Sequence, residues 1–246
     1  MIIFCKTRYD YQSYDDFWEL VELSGFPIIY VDEIDWQSDN TYIFTPLNGE
    51  MPRPLPDHKC KVIWLNIERP TGEHDHKLWK MFDEVWVCDK TWAKKIGVKF
   101  FFMASDKRLG YSGKHDQPAI SLAYINPRRE EKYSQLGLNN TNCFGQEKKK
   151  LLAEAKALVV LHQDIPVLSP QRFCVAAASH LPVFYEEVGD FYPLVEGQDF
   201  ISISYENCVN VFNTWIGNSK LQQIGESLYK KMCVDTNFKR EVGKLC

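Results

Sequence analysis

Residues 158–187 read LVVLHQDIPVLSPQRFCVAAASHLPVFYEE, and this stretch decides the fold. The apolar run 158–161 predicts a buried strand, and a polar break opening on His162 and Gln163 ends it. Ser169 then stands where a helix cap is expected, with Pro170 in a first turn that needs no N–H from it. The helix body is small (Val175, Ala176, Ala177, Ala178, Ser179), as close packing onto a sheet requires. A second apolar run, 182–185, predicts another buried strand, and it ends on Glu186 and Glu187. A strand, a helix and a strand in that order, with neither strand alternating, describe a parallel unit covered on both faces. Arg172 falls in the first turn of the helix, beside backbone N–H groups and the positive end of the helix dipole. That combination favours an anion, most simply a phosphate.

A second junction repeats the design. Residues 119–130 read AISLAYINPRRE: an apolar strand, Asn126 as cap, Pro127 in the first turn, and Arg128 and Arg129 just inside the helix. In a parallel sheet both junctions lie at the carboxyl edge of the strands, where open α/β folds bind ligands. Either junction alone reads equally well as an ordinary helix start with solvated arginines. Two such starts on one edge, with up to three arginines, suit a diphosphate. His162 and Gln163 reach the same edge and have the chemistry to hydrogen-bond a sugar or a base. Glu186 and Glu187, at the end of the next strand, are candidates to accept hydrogen bonds from ribose hydroxyls.

The remaining chain keeps the alternation. Strands are expected at 2–5, 27–31, 41–45, 60–67, 84–88 and 98–103, with helices at 17–23, 74–82 and 91–96, the last stopped by Gly97. The polar, glycine-bearing segment 104–117 reads as a domain linker. The rhythm then restarts with a strand at 119–125, a helix at 127–136, a weak strand at 141–144 and a helix at 147–156. Beyond the opening stretch come a short strand at 200–203, helices at 206–216 and 221–233, and a charged tail. The expectation is an α/β protein of two Rossmann-like domains, residues 1–108 and 118–246, whose parallel sheets face each other across a cleft. In the first domain Glu68 ends the central strand and is the candidate general base, because a base must reach the reacting hydroxyl from the opposite domain. Pairing of Glu68 with Arg69 or Lys61 as structural charge is the alternative.

Composition bounds the function. Of 246 residues, 45% are hydrophobic and 25% charged, with a formal net charge of −4, which argues against a protein built to grip a nucleic-acid backbone. The 8 cysteines include no C-x-x-C and sit mostly in apolar runs, so they read as free thiols of a reducing compartment. No apolar run approaches the ~18 residues of a membrane-spanning helix, and the start of the chain lacks a signal-peptide layout, so a cytoplasmic location is expected. Glu73, His74, Asp75 and His76 look metal-like but lack a third ligand at a recognisable spacing, and a hydrophilic helix start explains them. No G-x-G-x-x-G follows the strands at 2–5 or 119–125, and no G-x-x-x-x-G-K-[ST] or G-x-S-x-G is present. These absences argue against dinucleotide-dependent dehydrogenases, P-loop enzymes and α/β-hydrolases.

The run SPQRFCVAAASHLPVFYEE (169–187) resembles the donor-site segment of glycosyltransferases of the GT-B architecture, whose pattern is roughly S-P-x-R-x-x-E-A-x-A-x-G-x-P-V. Ser169, Pro170, Arg172, Ala176, Ala178, Pro182 and Val183 match; Val175 stands where the pattern has Glu, and His180 where it has Gly. AYINPRRE (123–130) resembles the first strand and loop of the same family's C-terminal domain. VIWLNIERP (62–70) and FDEVWVCDKTWAKKIGVKFFFMASD (82–106) are similar to its N-terminal domain. The resemblance implies a compact two-domain transferase that moves a sugar from a nucleotide-diphosphate sugar to an acceptor hydroxyl. Arg128 or Arg129 and the Ser169–Arg172 helix start would face the diphosphate, and His162 and Gln163 would lie near the sugar or base. It implies no cofactor and no metal, because arginines and helix dipoles neutralise the leaving group. Two other readings share the fold: a non-catalytic binding module, and a viral-type transferase acting on modified DNA bases. The second of these would need a basic cleft, for which Lys90, Lys94, Lys95, Lys99, Lys107 and Arg108 are the available residues.

Overall fold

The computed structural model describes residues 1–8, 15–45, 53–67, 79–111, 117–121, 127–138, 143, 145–162, 168–187 and 190–245; of residues 127 and 128 it describes the backbone alone. Glu68, Gln163, Asn126 and residues 73–76 lie outside this set, as does the side chain of Arg128.

Two sheets, each parallel throughout, organise the chain. The first has the order β2-β1-β3-β4-β5-β6, built from β1 (Ile2–Lys6), β2 (Ile28–Tyr30), β3 (Thr41–Phe44), β4 (Lys61–Asn66), β5 (Glu84–Val87) and β6 (Lys99–Phe100). The second has the order β10-β9-β8-β7, built from β7 (Ile120–Ser121), β8 (Leu158–Val160), β9 (Val183–Glu186) and β10 (Ile201–Ile203). Helices α1 (Asp15–Leu23), α2 (Lys90–Ile96), α3 (Pro127–Gln135), α4 (Gly145–Glu154), α5 (Pro170–Ala178), α6 (Cys208–Trp215), α7 (Lys220–Tyr229) and α8 (Phe238–Val242) alternate with them. This is a pair of Rossmann-like α/β units, as the unbroken apolar strands predict. Gly97 ends α2 in the left-handed region, at φ 72°, where a Cβ is disfavoured.

Alternate residues of each strand serve different cores. On the first sheet Phe4, Ile43, Ile63 and Leu65 face one way, while Ile3, Cys5, Tyr42, Phe44, Val62 and Trp64 face Trp79 and Phe82 on the other. On the second, Ile120, Leu158, Val160, Val183 and Tyr185 face one way, while Val159, Leu161, Phe184 and Ile201 meet α3, α6 and α7. The first-named face of each sheet belongs to one continuous apolar cluster. Between them lie Phe17 and Leu20 of α1, Phe173 and Ala177 of α5, and Phe238 and Val242 of α8, so the two sheets share a core on these faces and each has its own on the other.

Two parts of the chain depart from their polar appearance in sequence. The segment after β6 packs firmly: Ala104 and Ser105 are fully buried, and Ser105 Oγ donates to the Cys174 carbonyl at 2.8 Å. A Cβ on Gly110 would meet the carbonyl oxygen of Ala178 at 1.9 Å, so only glycine lets this segment pass the end of α5. The charged tail is the other. After α7 the chain continues through a π-helical segment (Lys230–Asp235) into α8, and Phe238 plugs the first sheet's inner face. A run of charge hid a buried apolar residue every few positions (Met232, Phe238, Val242, Leu245), which is the pattern of short amphipathic helices.

Side chains also tie the halves together. Lys148 of α4 binds Asp16 of α1, and Lys149 binds Glu19, with both lysines buried. All seven cysteines of the described residues are free thiols.

Candidate functional site

The carboxyl ends of β7 to β10 share one edge, and α3, α5 and α6 all start there. Pro127 and Pro170 each open a helix, which places Arg129 and Arg172 at the same third position of α3 and α5. Arg129 is buried at 4% exposure and Arg172 is half-buried. The two converge: the charges of both act on the His162 ring and on the Tyr133 hydroxyl.

His162 follows β8 at the centre of this edge and is 7% exposed. Its N–H donates to Glu186 Oε2, and its ring Nε2 lies 3.1 Å from the Glu186 carbonyl oxygen. A carbonyl only accepts, so the ring carries its proton on Nε2. Burial pushes the imidazole pKa down to about 4; the bond to the Glu186 carbonyl opposes this, and Arg172 and Arg129 add to it. At neutral pH the positive charge of the edge therefore comes from arginine and not from histidine. Burial also raises the Glu186 carboxyl, partly offset by the His162 N–H and by Arg129, with Glu206 pushing the same way as burial. Glu187 is exposed.

This arrangement makes stability pH-dependent. Between its ordinary pKa and about 4, His162 binds a proton in the unfolded chain but not in the folded one. Stability therefore rises with pH across that window and falls as pH drops from about 6.5 to 4, by up to about 3 kcal/mol. Glu186, raised rather than lowered, acts in the opposite sense. Urea unfolding at pH 7 and pH 5 is expected to show a smaller acid loss for His162→Gln than for wild type. Equal losses in the two proteins would show that His162 is protonated in the native state.

Ser169 departs from expectation. It precedes α5, but with φ −113° and ψ 88° its side chain makes no capping bond. Its N–H instead donates to the Tyr185 hydroxyl at 2.7 Å. At its other end α5 closes with the paired bonds of a Schellman motif: Leu181 N–H to Ala176 O at 2.9 Å and His180 N–H to Ala177 O at 3.0 Å. His180 adopts φ 55°, the left-handed conformation that suits the glycine of the family pattern. A ring stack on Tyr229 (3.8 Å) and a hydrogen bond between Nδ1 and Glu226 Oε2 (3.0 Å) hold it there. Val175 is 3% exposed and belongs to the shared core.

Two residues of the edge had no signal in the sequence beyond being aromatic. Tyr133 of α3 is 1% exposed, and its hydroxyl accepts the Leu161 N–H at 3.3 Å. Tyr185 is the other. A periodic reading assigns both to the core, which is correct for the rings and silent on the hydroxyls.

Three of the six basic residues of 90–108 have partners of their own. Lys99 binds Glu84 at 2.8 Å, Arg108 binds Asp106 at 2.6 Å, and Lys90 lies 3.2 Å from the Tyr192 ring centroid. Among the described residues no cluster of three or more metal-ligating side chains occurs, and no helix is long and apolar enough to cross a membrane.

No protein-family model and no curated protein matches the sequence. Solved structures do match the fold. Anabaena HepE, determined in complex with UDP and glucose, superposes with a TM-score of 0.63 at 10% identity, covering 99% of this chain and 98% of that one. AviGT4, a glycosyltransferase involved in avilamycin A biosynthesis, gives 0.61 at 8% identity over 100% and 96% of the two chains. The fold is GT-B-like. TarM gives 0.62 at 10% identity over 87% of this chain, which spans 55% of TarM's length. The edge bearing Arg129, His162 and Arg172 is the carboxyl edge of the second sheet, the side on which open α/β sheets take ligands.

Proposed function

We propose that the chain is a glycosyltransferase that transfers a sugar from a nucleotide-diphosphate sugar to an acceptor hydroxyl. The observation that carries this reading is the placement of Arg129 and Arg172, at equivalent positions of two helix starts, on the strand-end edge that also bears the buried His162. Two guanidinium groups and two helix starts on one edge make a site for a diphosphate. As the bond from the sugar's anomeric carbon to the diphosphate breaks, negative charge grows on the leaving oxygen, and this edge stabilises it. Arg128, His162, Gln163, Ser169, Glu186 and Glu187 complete the proposed donor set. Glu68, proposed on sequence grounds, takes the proton of the attacking hydroxyl. The proposed division is an acceptor domain at 1–108 and a donor domain at 118–246, with no metal or cofactor needed, in the cytoplasm. The acceptor class is open to a glycan, a small molecule or a modified DNA base; the paired state of Lys99 and Arg108 weighs against the last.

One observation favours a second reading, a binding module without turnover: Val175 is buried apolar core where the family pattern has a carboxylate. A thermal-shift screen with UDP, GDP, ADP and their sugars tests the first reading. At least one nucleotide is expected to raise the melting temperature, and no response at millimolar concentration would sink the proposal. Release of free nucleoside diphosphate from the stabilising nucleotide sugar then separates transferase from binding module.

A further inference from the structure

His162 after β8 and Ser169 before α5 are held by consecutive residues of β9. His162 is bonded twice to Glu186, through its N–H and its ring. Ser169 gives its N–H to the Tyr185 hydroxyl at 2.7 Å. Consecutive strand residues point to opposite faces, so one strand end can serve both anchors only by using a side chain of each kind. Tyr185 suits its part. It is fully buried, its ring stacks on Phe173 of α5 at 4.7 Å and 19°, and the His162 ring lies 5.2 Å away. Its hydroxyl therefore stands at a fixed point relative to both α5 and His162. Ser169 makes no side-chain cap of its own, so the bond from its backbone to that hydroxyl sets where the first turn of α5 begins.

We infer that Tyr185 is a positioning residue: its hydroxyl fixes the start of α5 and thereby the register of Arg172 against Arg129 and His162. The inference rests on the proposed diphosphate site. It gives the hydroxyl of a core tyrosine a task that packing does not require. Tyr185→Phe keeps the ring, the stack and the burial, and removes the hydroxyl that accepts the Ser169 N–H.

Two measurements on Tyr185→Phe test this. Amide hydrogen exchange of the peptide spanning 168–173 is expected to speed up at least tenfold without any ligand, while exchange in β8 and β9 stays at the wild-type rate. Unchanged exchange at 168–173 would overturn the anchor itself. Calorimetric titration with UDP, GDP and ADP is expected to show a Kd five- to tenfold above wild type for the diphosphate that binds. In an Arg172→Ala background the same change is expected to shift Kd less than twofold, because the arginine it positions is gone. A wild-type-like Kd in the single variant, or an undiminished effect in the Arg172→Ala background, would overturn the positioning role. Failure of wild type to bind any of the three would overturn the diphosphate site, and with it the positioning role, whatever the exchange data show.

Discussion

Phe238→Ala is expected to lower the unfolding free energy by about 3–5 kcal/mol, the usual cost of deleting a fully buried aromatic ring. Phe238 is fully buried, and its ring centroid lies within 6.1–6.5 Å of those of Phe4, Phe17, Phe26 and Phe101. These come from β1, α1, the turn after α1 and the segment after β6, so one side chain near the end of the chain completes the inner face of the first sheet. Collapse of the cavity is opposed because its four ring neighbours are large aromatics, of which Phe4 and Phe17 are held in β1 and α1. The backbone adds to the seat: Phe238 N–H donates to the Ser105 carbonyl at 3.0 Å, and Lys61 Nζ to the Leu245 carbonyl at 2.9 Å. Urea unfolding measures the loss, with Val234→Ala, at an exposed site of the same region, as a control expected near zero. A loss below about 1 kcal/mol for Phe238→Ala would mean that α8 does not seat on the first sheet. The cluster also predicts one cooperative transition for the whole chain, since both sheets draw on the same core.

What the sequence disclosed, and what it hid, follows from the range of the signals. The order of strands and helices was legible because buried parallel strands are unbroken apolar runs, and Gly97, Pro127 and Pro170 mark helix ends locally. The equivalence of Arg129 and Arg172 was legible for the same reason: both follow a proline that opens a helix. The pairing of Ser105 with Cys174, and the passage of Gly110 past Ala178, were not, because each joins residues distant in the chain and neither changes the local pattern. The bond from Ser169 to Tyr185 belongs with these. Ser-Pro suggests a side-chain cap, and the observed backbone torsions at Ser169 give the cap's task to a tyrosine of the next strand. His180 was the reverse case. The family pattern has glycine there, and the backbone keeps the glycine's conformation, at φ 55°, with a histidine in its place.

The double variant Arg129→Met, Arg172→Met is expected to lose about 3–5 kcal/mol of nucleoside-diphosphate binding, more than two powers of ten in Kd. Each arginine is assigned one charge-assisted bond to the diphosphate, worth about 1.5–3 kcal/mol. Methionine keeps part of each apolar stem, so the change is chiefly one of charge. The two losses will not sum independently, because both guanidinium groups act on one anion and one histidine; the single variants are each expected to weaken binding by more than half of the combined effect. Arg129 also offsets the half-buried Glu186 carboxylate, so the double variant should be less stable than Arg172→Met alone. Adding Glu186→Gln is expected to return part of that stability and none of the affinity. Titration calorimetry at fixed ionic strength decides the matter. If the double variant binds within threefold of wild type, the anion lies elsewhere, and the two helix starts are only well-made ends of helices.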